Sequence, residues 1–241
     1  MNEVIVPSAG SLTVPARGFE ELTIERGDLI IPRAKLLQAL SPEVAESKFE
    51  GAKPGLIINS LMMDVLPPRF VPVFVFKNYI RFNPRKSSDA GYDPSFEPGA
   101  IIWRSNDHTD PRVIEETAFG PHGEIPIATT FLNFFSVFHE VTMPIVISFS
   151  KTSFRAGREL LSLAKYLSLA TPSESAIWYR AYQLSTEQQK NDKGNYYTLA
   201  IKPLGLSSDA ERHQAEAWWQ EFSKKAAEIK VHEEIEEPLA F

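Results

Sequence analysis

The chain has no cysteine among its 241 residues. This absence excludes disulfide bonds, cysteine-ligated zinc or iron–sulfur centres, and thiol catalysis. There is also no apolar run of about 18 residues, so the sequence predicts no membrane-spanning helix. The start, MNEVIVPSAG, lacks the basic and apolar regions of a secretory signal peptide. We therefore expect a protein of the cytoplasm, which is the host cytoplasm if the chain is viral.

Motifs of common enzyme classes are missing too. The sequence contains no GxGxxG, GxxxxGK[ST] or GxSxG pattern, which mark dinucleotide-binding proteins, P-loop NTPases and α/β-hydrolases. A metal could be held by Asp107, His108, Asp110 and His122, but these lie in turn-rich sequence without matching ligands elsewhere. The sequence therefore predicts no cofactor and no metal, and we expect a protein that is not an enzyme.

What is present indicates a globular chain rich in strands. The hydrophobic fraction of 43% and the charged fraction of 23% are ordinary for a folded domain. Proline at a first helical position predicts a short helix over residues 32–40. Strands are predicted by the β-branched and aromatic residues of LIINSLMMDVL, FVPVFVFKNYIRF, AIIWRS, FLNFFSVF and MPIVISFS.

Turn-forming residues separate these strands at two places. Residues 83–99 (NPRKSSDAGYDPSFEPG) predict a long loop, and loops of this length are usually functional or disordered. Residues 106–126 predict a second irregular stretch. An apolar stripe from Ala156 to Leu167 predicts a helix that begins after Lys151. AIWYRAYQLS and NYYTLAIKPLG predict a closing hairpin, and a last helix is expected over residues 209–230.

This order predicts a mainly β chain with helices, of the α+β class. Strands, one helix, a hairpin and a final helix fit an OB-like Greek-key barrel with insertions. They do not fit a βαβ sheet, because strands and helices fail to alternate. The expected parts are an N-terminal extension (1–50), the OB-like domain (51–206), a C-terminal helix (207–230) and a disordered acidic tail (231–241).

Two strand segments alternate cations with rings. In the first, Phe74, Phe76, Ile80 and Phe82 are expected in the core, which exposes Lys77, Tyr79 and Arg81. In the hairpin, the residues expected to be exposed are Trp178, Arg180, Tyr182, Tyr196, Thr198 and Lys202. Proteins that hold single strands need this mixture, because bases stack on rings while cations follow the phosphates. The alternative is that such residues simply suit the outer faces of strands.

Both ribbons are expected to face one shared cleft, with Tyr79 and Trp178 in it. SKTSFRAGREL adds a helix N-terminus beside Lys151 and Arg155, which could hold an anion, although helix capping explains it equally. The candidate DNA-binding residues are Lys77, Tyr79, Arg81, Arg85, Lys86, Trp103, Arg104, Lys151, Arg155, Trp178, Arg180, Tyr182, Tyr196 and Lys202.

The chain ends in EEIEEPLAF, its densest run of charge. Within residues 231–241 there is no lysine or arginine, and the candidate partner-binding residues are Glu233, Glu234, Glu236, Glu237, Leu239 and Phe241. An acidic run is commonly a solvated end without further function. A disordered tail, however, has no core for its leucine and phenylalanine, which favours a pocket on a partner protein.

The segments MPIVISFSKTSFRAGRELLSLAKYL and IWYRAYQLSTEQQKNDKGNYYTLAIKPLG resemble a family of bacteriophage single-stranded DNA-binding proteins. In that family an OB-like barrel carries a helix before its last hairpin, and the likeness extends loosely over residues 30–205. The tail is similar to the acidic, phenylalanine-terminated ends of such proteins, which implies that it recruits a polymerase, helicase or primase. Many relatives carry cysteines that this chain lacks, so the resemblance implies no zinc.

These observations predict a sequence-independent single-stranded DNA-binding protein that acts in phage replication, recombination or repair and could be a homo-oligomer. Two alternatives stay open. One is a metal-dependent nuclease that uses Asp107, His108, Asp110 and Glu140. The other is a phage structural or scaffolding protein whose tail docks capsid components.

Overall fold

The structure, a computed structural model, describes residues 30–171, 174–192 and 194–223. Within these residues the fold is mixed α+β, and most of its elements are strands. In chain order the elements are β1 (Ala34–Leu36), α1 (Pro42–Ala45), β2 (Ile57–Asn59), β3 (Arg69–Phe82), β4 (Ile101–Ser105), α2 (Pro111–Glu116), β5 (Thr129–Phe138), β6 (Ile145–Phe149), α3 (Phe154–Ala170), β7 (Arg180–Asn191), β8 (Gly194–Leu206) and α4 (Asp209–Phe222).

One antiparallel sheet of six strands is built around β3. Its order is β6-β5-β3-β7-β8, and β4 also pairs with β3. Strand β5 follows one edge of β3, while β7 pairs near Arg69 and β4 pairs near Tyr79 on the other edge. Pro72 cannot donate to the ladder, and it lies where the register between β3 and β5 shifts. Strands β1 and β2 form a separate two-stranded sheet.

Both faces of the large sheet are buried, which explains the nearly continuous apolar run of β3. We call the side covered by α3 the inner face; its cluster includes Phe70, Phe134, Phe149 and Leu160. We call the side covered by α4 the outer face; its cluster includes Val73, Phe135, Ala215 and Phe222. The sheet is therefore the middle layer of three.

Helix α3 lies over the inner face and contacts both β6 and β8. Ser153, just before the helix, accepts a hydrogen bond of 3.3 Å from the backbone N–H of Leu199 in β8. Tyr197 exchanges two backbone hydrogen bonds, of 2.9 and 2.8 Å, with the carboxamide of Gln38. Side chains thus satisfy part of the edge of β8. Among the described residues β8 does not pair with β6, so the sheet is not a closed barrel.

Helix α4 is held to the outer face by packing and by one ion pair. Ser208 and Glu211 form a capping box at its start. Glu211 also receives two hydrogen bonds from the guanidinium of Arg69 in β3, at 2.7 and 2.9 Å. The same carboxylate therefore begins the helix and fastens it to the sheet.

Most of the predicted elements are confirmed. Strands β4 and β6 lie within the segments predicted for them, β3 and β5 begin one and two residues before theirs, and β7 and β8 form the predicted hairpin. Helix α3 follows Lys151 as expected. The last helix begins at Asp209 and is described through Phe222, whereas residues 224–230 lie outside the described residues. The α+β, mainly β class is likewise confirmed.

Three predicted elements are wrong. Residues 32–40 contain β1 instead of a helix, because pairing of Lys35 with Ile58 in β2 outweighs the helix propensity of AKLLQAL. The proline-led helix occurs instead at Pro42 in α1. Residues 106–126 are not wholly irregular, since they contain α2. The strand expected from AIWYR begins only at Arg180, because the three preceding residues form a 3₁₀ turn.

Candidate nucleic-acid interface

The side chains of β3 alternate between the two faces of the sheet as predicted. The face that carries Lys77, Tyr79 and Arg81, however, is not exposed along its whole length. Lys77 lies opposite Leu132 and Tyr79 lies opposite Thr130, both on the inner side of the sheet. Lys77 is exposed. Tyr79 is only 7% exposed, and burial raises the pKa of its hydroxyl. The predicted stacking role of Tyr79 is therefore wrong.

Helix α2 causes this burial. The carboxylate of Glu116 accepts hydrogen bonds from Arg81 Nη1 at 2.8 Å and from Trp103 Nε1 at 2.9 Å. Val113 of the same helix packs in one cluster with Tyr79 and Trp103. Trp103, another candidate DNA-binding residue, is only 8% exposed. Arg81 is held in the ion pair and does not line a groove.

A signal for α2 was present in the sequence. Asp110 precedes Pro111, and an aspartate cap followed by proline is typical of a helix start. In the structure Asp110 accepts a hydrogen bond of 3.0 Å from the backbone N–H of Arg112. The side-chain hydrogen bond from Arg112 lowers the pKa of Asp110 to about 2. Recognition of this cap would have predicted helix α2, although not that the helix covers the end of β3.

The ring of β7 predicted to be exposed points into the core. Tyr182 is 0% exposed and lies 5.9 Å from Phe70 in the inner cluster. Trp178 precedes the strand and packs against Trp219 of α4, 5.6 Å away, on the outer side. The predicted stacking role of Tyr182 is therefore wrong, whereas that of Trp178, which is half-buried, stays a prediction.

Tyr79 and Trp178 lie on opposite sides of the sheet, so the shared cleft that both ribbons were expected to line is absent. Arg180, which lies between Trp178 and Tyr182 in the sequence, forms an ion pair with Glu174 at 2.7 Å. The physical reason is that both faces are buried. A period of two shows which residues share a face, but it does not show which face reaches solvent.

Replacing Tyr182 with phenylalanine is expected to leave the free energy of unfolding unchanged or to raise it by up to about 1 kcal/mol. The hydroxyl is buried without a hydrogen-bond partner in the described part of the chain, and burial raises its pKa to about 12. Removal of an unsatisfied polar group relieves its desolvation penalty. Urea denaturation measures the change, and a clear loss of stability would contradict the burial of an unpaired hydroxyl.

The exposed cations divide between the two sides of the sheet. On the inner side, Lys77 shares a register row with Leu132 and Phe149, and Lys151 follows Phe149 by two residues. Arg155 is exposed in the first turn of α3, where it pairs with Glu159 at 2.9 Å. Lys77 thus lies within β3, level with the last residue of β6, and Lys151 follows the end of β6.

The other predicted cations are elsewhere. Arg85 and Lys86 are exposed in the loop that follows β3. On the hairpin, Lys202 lies beside Gln183 on the outer side, and Tyr196 is half-buried on that same side. Arg104, half-buried, lies opposite Ile80. The predicted cations are therefore spread over several elements, because Lys77 lies in β3, Lys151 after β6, Arg85 and Lys86 in the loop after β3, and Lys202 in β8.

The proposed metal ligands are used in local turns. Asp107 accepts hydrogen bonds from the backbone and hydroxyl of Thr109, at 2.8 and 2.7 Å, and these bonds lower its pKa. Asp110 caps α2, while His122 and Glu140 are exposed in other loops. Over the described ranges no three His, Cys, Asp or Glu side chains form a group that could hold a metal ion.

One residue of the loop after β3 was missed by sequence reasoning. Asn83 is 1% exposed, and its side chain bonds to the backbone of Asp93 and Phe96 inside loop 83–99. Buried amides that organise a loop leave little trace in a single sequence, because asparagine is also common in exposed turns. The predicted long loop is thus an ordered one.

Comparison with known proteins supplies the family. The sequence model of the Pam3 phage gp34-like protein family matches residues 3–228. The chain belongs to this family. The match to the Pam3 phage gp34-like family includes every described helix and strand, and the family's name supports a phage origin. No curated protein and no solved structure matches the chain.

Neither the family match nor the described part of the structure includes the acidic end of the chain. Glu233, Glu234, Glu236, Glu237, Leu239 and Phe241 lie beyond the family match and outside the described residues. Their partner-binding role stays a prediction. None of the described helices is both long and apolar enough to span a membrane.

Proposed function

We propose that this protein binds single-stranded DNA without reading its sequence and acts in phage DNA replication, recombination or repair. The observation that carries the proposal is the connectivity of the sheet. Strands β3, β5 and β6 form a meander, α3 follows, and the hairpin β7–β8 returns so that β7 pairs with β3. From this connectivity we infer an OB-like barrel with β4 as an insertion, since the OB-fold is a partly open five-stranded Greek-key barrel that binds oligonucleotides.

The packing of α3 supports the proposal that this open sheet is OB-like. Phe149 of β6 and Leu199 of β8 belong to one buried cluster, although their strands are at opposite ends of the strand order. We infer that the sheet coils so that its two ends approach each other. Ser153 bridges the remaining gap through its hydrogen bond to Leu199.

The buried outer face limits where DNA can bind. Helix α4 covers Val73 and Phe135, so a strand of DNA cannot lie there without displacing the helix. We propose instead a track along four exposed cations, which are Lys77 on the inner side, Lys151 after β6, and Arg85 and Lys86 in the loop after β3. Because the rings of Tyr79 and Tyr182 are buried and those of Trp178 and Tyr196 are half-buried, we expect contacts to phosphates to carry most of the affinity.

A salt titration tests the proposal. Fluorescence anisotropy with a labelled oligothymidine is expected to show binding that falls steeply as salt rises, with weaker binding to a duplex of the same length. Replacing both Lys77 and Lys151 with alanine should reduce the logarithmic salt slope by about 1.4, because each lost phosphate contact on a single strand removes about 0.7.

The matched control replaces Lys53 and Lys165, two exposed lysines outside the track, with alanine. The net charge changes equally in both double variants, so only a local effect can separate them. Absence of salt-dependent binding by the wild type would overturn the proposal. Equal losses in the two double variants would overturn the placement of the track.

The second candidate is a structural or scaffolding protein of the phage particle. The loop between α2 and β5 exposes large apolar side chains, with Phe119 at 73% and Ile125 at 83%. Such residues suit an assembly surface. This candidate predicts no salt-dependent affinity for oligonucleotides, so the same titration separates the two. Incubation of labelled single strands with Mg²⁺ or Mn²⁺ tests the nuclease alternative, since a binding protein leaves them intact.

Recruitment of a polymerase, helicase or primase by residues 231–241 is part of the proposal. Its support is the charge and the apolar end of the segment EEIEEPLAF. Deleting residues 231–241 should abolish co-purification of such a partner. Single-stranded DNA should still bind to the shortened chain, because the proposed track lies elsewhere.

A further inference from the structure

Loop 83–99 is closed at its base by a single buried residue. The backbone N–H of Asn83 donates to Ala100 O at 2.7 Å, and its carbonyl accepts from the N–H of Gly99 at 2.8 Å. These bonds extend the pairing of β3 with β4 by one step. The chain therefore leaves the sheet at Asn83 and returns beside it.

The side chain of Asn83 then holds the middle of the loop. Its Nδ2 donates to the carbonyls of Asp93 at 2.9 Å and Phe96 at 2.7 Å, with a longer bond of 3.3 Å to Glu97. Its Oδ1 accepts from the backbone N–H of Asp93 at 2.8 Å. A carboxamide offers both donors and an acceptor at one point, which neither a carboxylate nor an alkyl side chain can do.

The segment between these anchors has turns of its own. Asp89 donates its N–H to Lys86 O at 3.0 Å, and Tyr92 donates to Asp89 O at 3.2 Å. Gly91, at a φ of 82°, presents its carbonyl to Arg81 Nη2 at 3.1 Å. The loop is thus tied to the sheet on both sides of its exposed cations.

From this geometry we infer that Asn83 is a positioning residue for DNA binding, an inference that rests on the proposed function. Asn83 holds the backbone of loop 83–99 in place. Arg85 and Lys86 then contact consecutive phosphates without a prior ordering of that backbone. Association is weakened when flexible side chains and loops must be immobilised at the interface. An anchored loop has lost that freedom before DNA arrives.

Replacing Asn83 with alanine is expected to weaken binding to oligothymidine by about tenfold, because the ordering of the loop backbone that carries Arg85 and Lys86 is then added to binding. The same change in a chain that already carries Arg85→Ala and Lys86→Ala should have no further effect. This double-mutant cycle separates positioning from general damage to the fold. Anisotropy titrations at one salt concentration measure all four chains.

The chain offers a matched control at Asn59. That residue is also buried, and its Oδ1 accepts the N–H groups of Leu61 and Met62 at 2.9 and 3.2 Å, in a turn without cations. Asn59→Ala should disturb its turn and leave DNA affinity unchanged. If it weakens binding as much as Asn83→Ala does, the inference fails.

If Asn83→Ala does not fold, a substitution at a hydrogen-bond partner of Asn83 in the loop provides the test. Asp93→Pro removes the N–H that donates to Asn83, and residue 93 already precedes Pro94, so its backbone is restricted to extended conformations. Loss of an acidic residue alone would raise DNA affinity, whereas release of the loop should lower it. Unchanged or tighter binding, or an equal effect with and without Arg85 and Lys86, overturns the inference. Absence of binding by the wild type overturns the proposed function and this inference with it.

Discussion

Replacing Gly157 with alanine is expected to lower the free energy of unfolding by about 2 kcal/mol. The direction is opposite to the intrinsic preference, since alanine favours a helix interior over glycine by about 1 kcal/mol. An added β-carbon would lie 2.6 Å from Phe149 Cβ and 2.7 Å from Phe149 Cγ. Neither atom is the free end of a flexible side chain, so α3 itself must move away from β6.

Movement of α3 has consequences beyond local packing. Ser153, which bonds Leu199 of β8, lies four residues before Gly157. A shift of the helix therefore loosens the bridge between the two ends of the sheet.

Urea denaturation of the purified full chain measures the loss at Gly157. The control is Ser162→Ala, at an exposed position of the same helix, which should stay within about 0.5 kcal/mol of the wild type. An increase in stability of Gly157→Ala would mean that the close approach of α3 to β6 is not required.

The elements that could be predicted are those with a strong local pattern. Strand β3 follows from its β-branched and aromatic residues, and α3 follows from the spacing of Ala156, Leu160 and Ala164, all of which are buried. The short elements could not be predicted in the same way. Strand β1 has three residues and exists because β2 pairs with it, which no local pattern reports.

The candidate site was harder to predict than the fold. Alternation correctly placed Lys77, Tyr79 and Arg81 on one side, but the cover provided by α2 comes from residues more than 25 positions later in the chain. Whether a ring is exposed depends on such distant contacts. Exposed cations were easier to assign, because lysine and arginine are rarely buried without a partner.

The second large effect is expected at the ion pair that holds α4. Replacing Glu211 with glutamine should lower the free energy of unfolding by about 2–3 kcal/mol at neutral pH. Arg69 donates to both carboxylate oxygens, at 2.7 and 2.9 Å, and the N–H of Ser208 donates at 2.7 Å. A bidentate pair with a guanidinium is stronger than neutral hydrogen bonds, and glutamine would leave the charge of Arg69 without its partner.

This contribution depends on pH with a definite sign. The hydrogen bond from Arg69, together with those from Ser208, lowers the pKa of Glu211 from 4.5 to about 2. Because the folded pKa lies below the unfolded one, the carboxylate stabilises the fold fully at pH values above the unfolded pKa. That stabilisation is lost as the pH falls through the folded pKa. The difference between wild type and Glu211→Gln should therefore shrink from pH 4.5 downward and vanish near pH 2.

Urea denaturation at neutral pH and at about pH 3.5 tests both the size and the sign. The control Glu159→Gln removes the exposed pair with Arg155 and should change little at either pH. A difference for Glu211→Gln that stays constant as the pH falls would contradict the ion pair, because lost packing does not titrate. A difference that shrinks shows that the charge of Glu211, and not its shape alone, keeps α4 over Val73 and Phe135. Helix α4 would then close the outer face of the sheet to DNA more firmly at neutral pH than in acid.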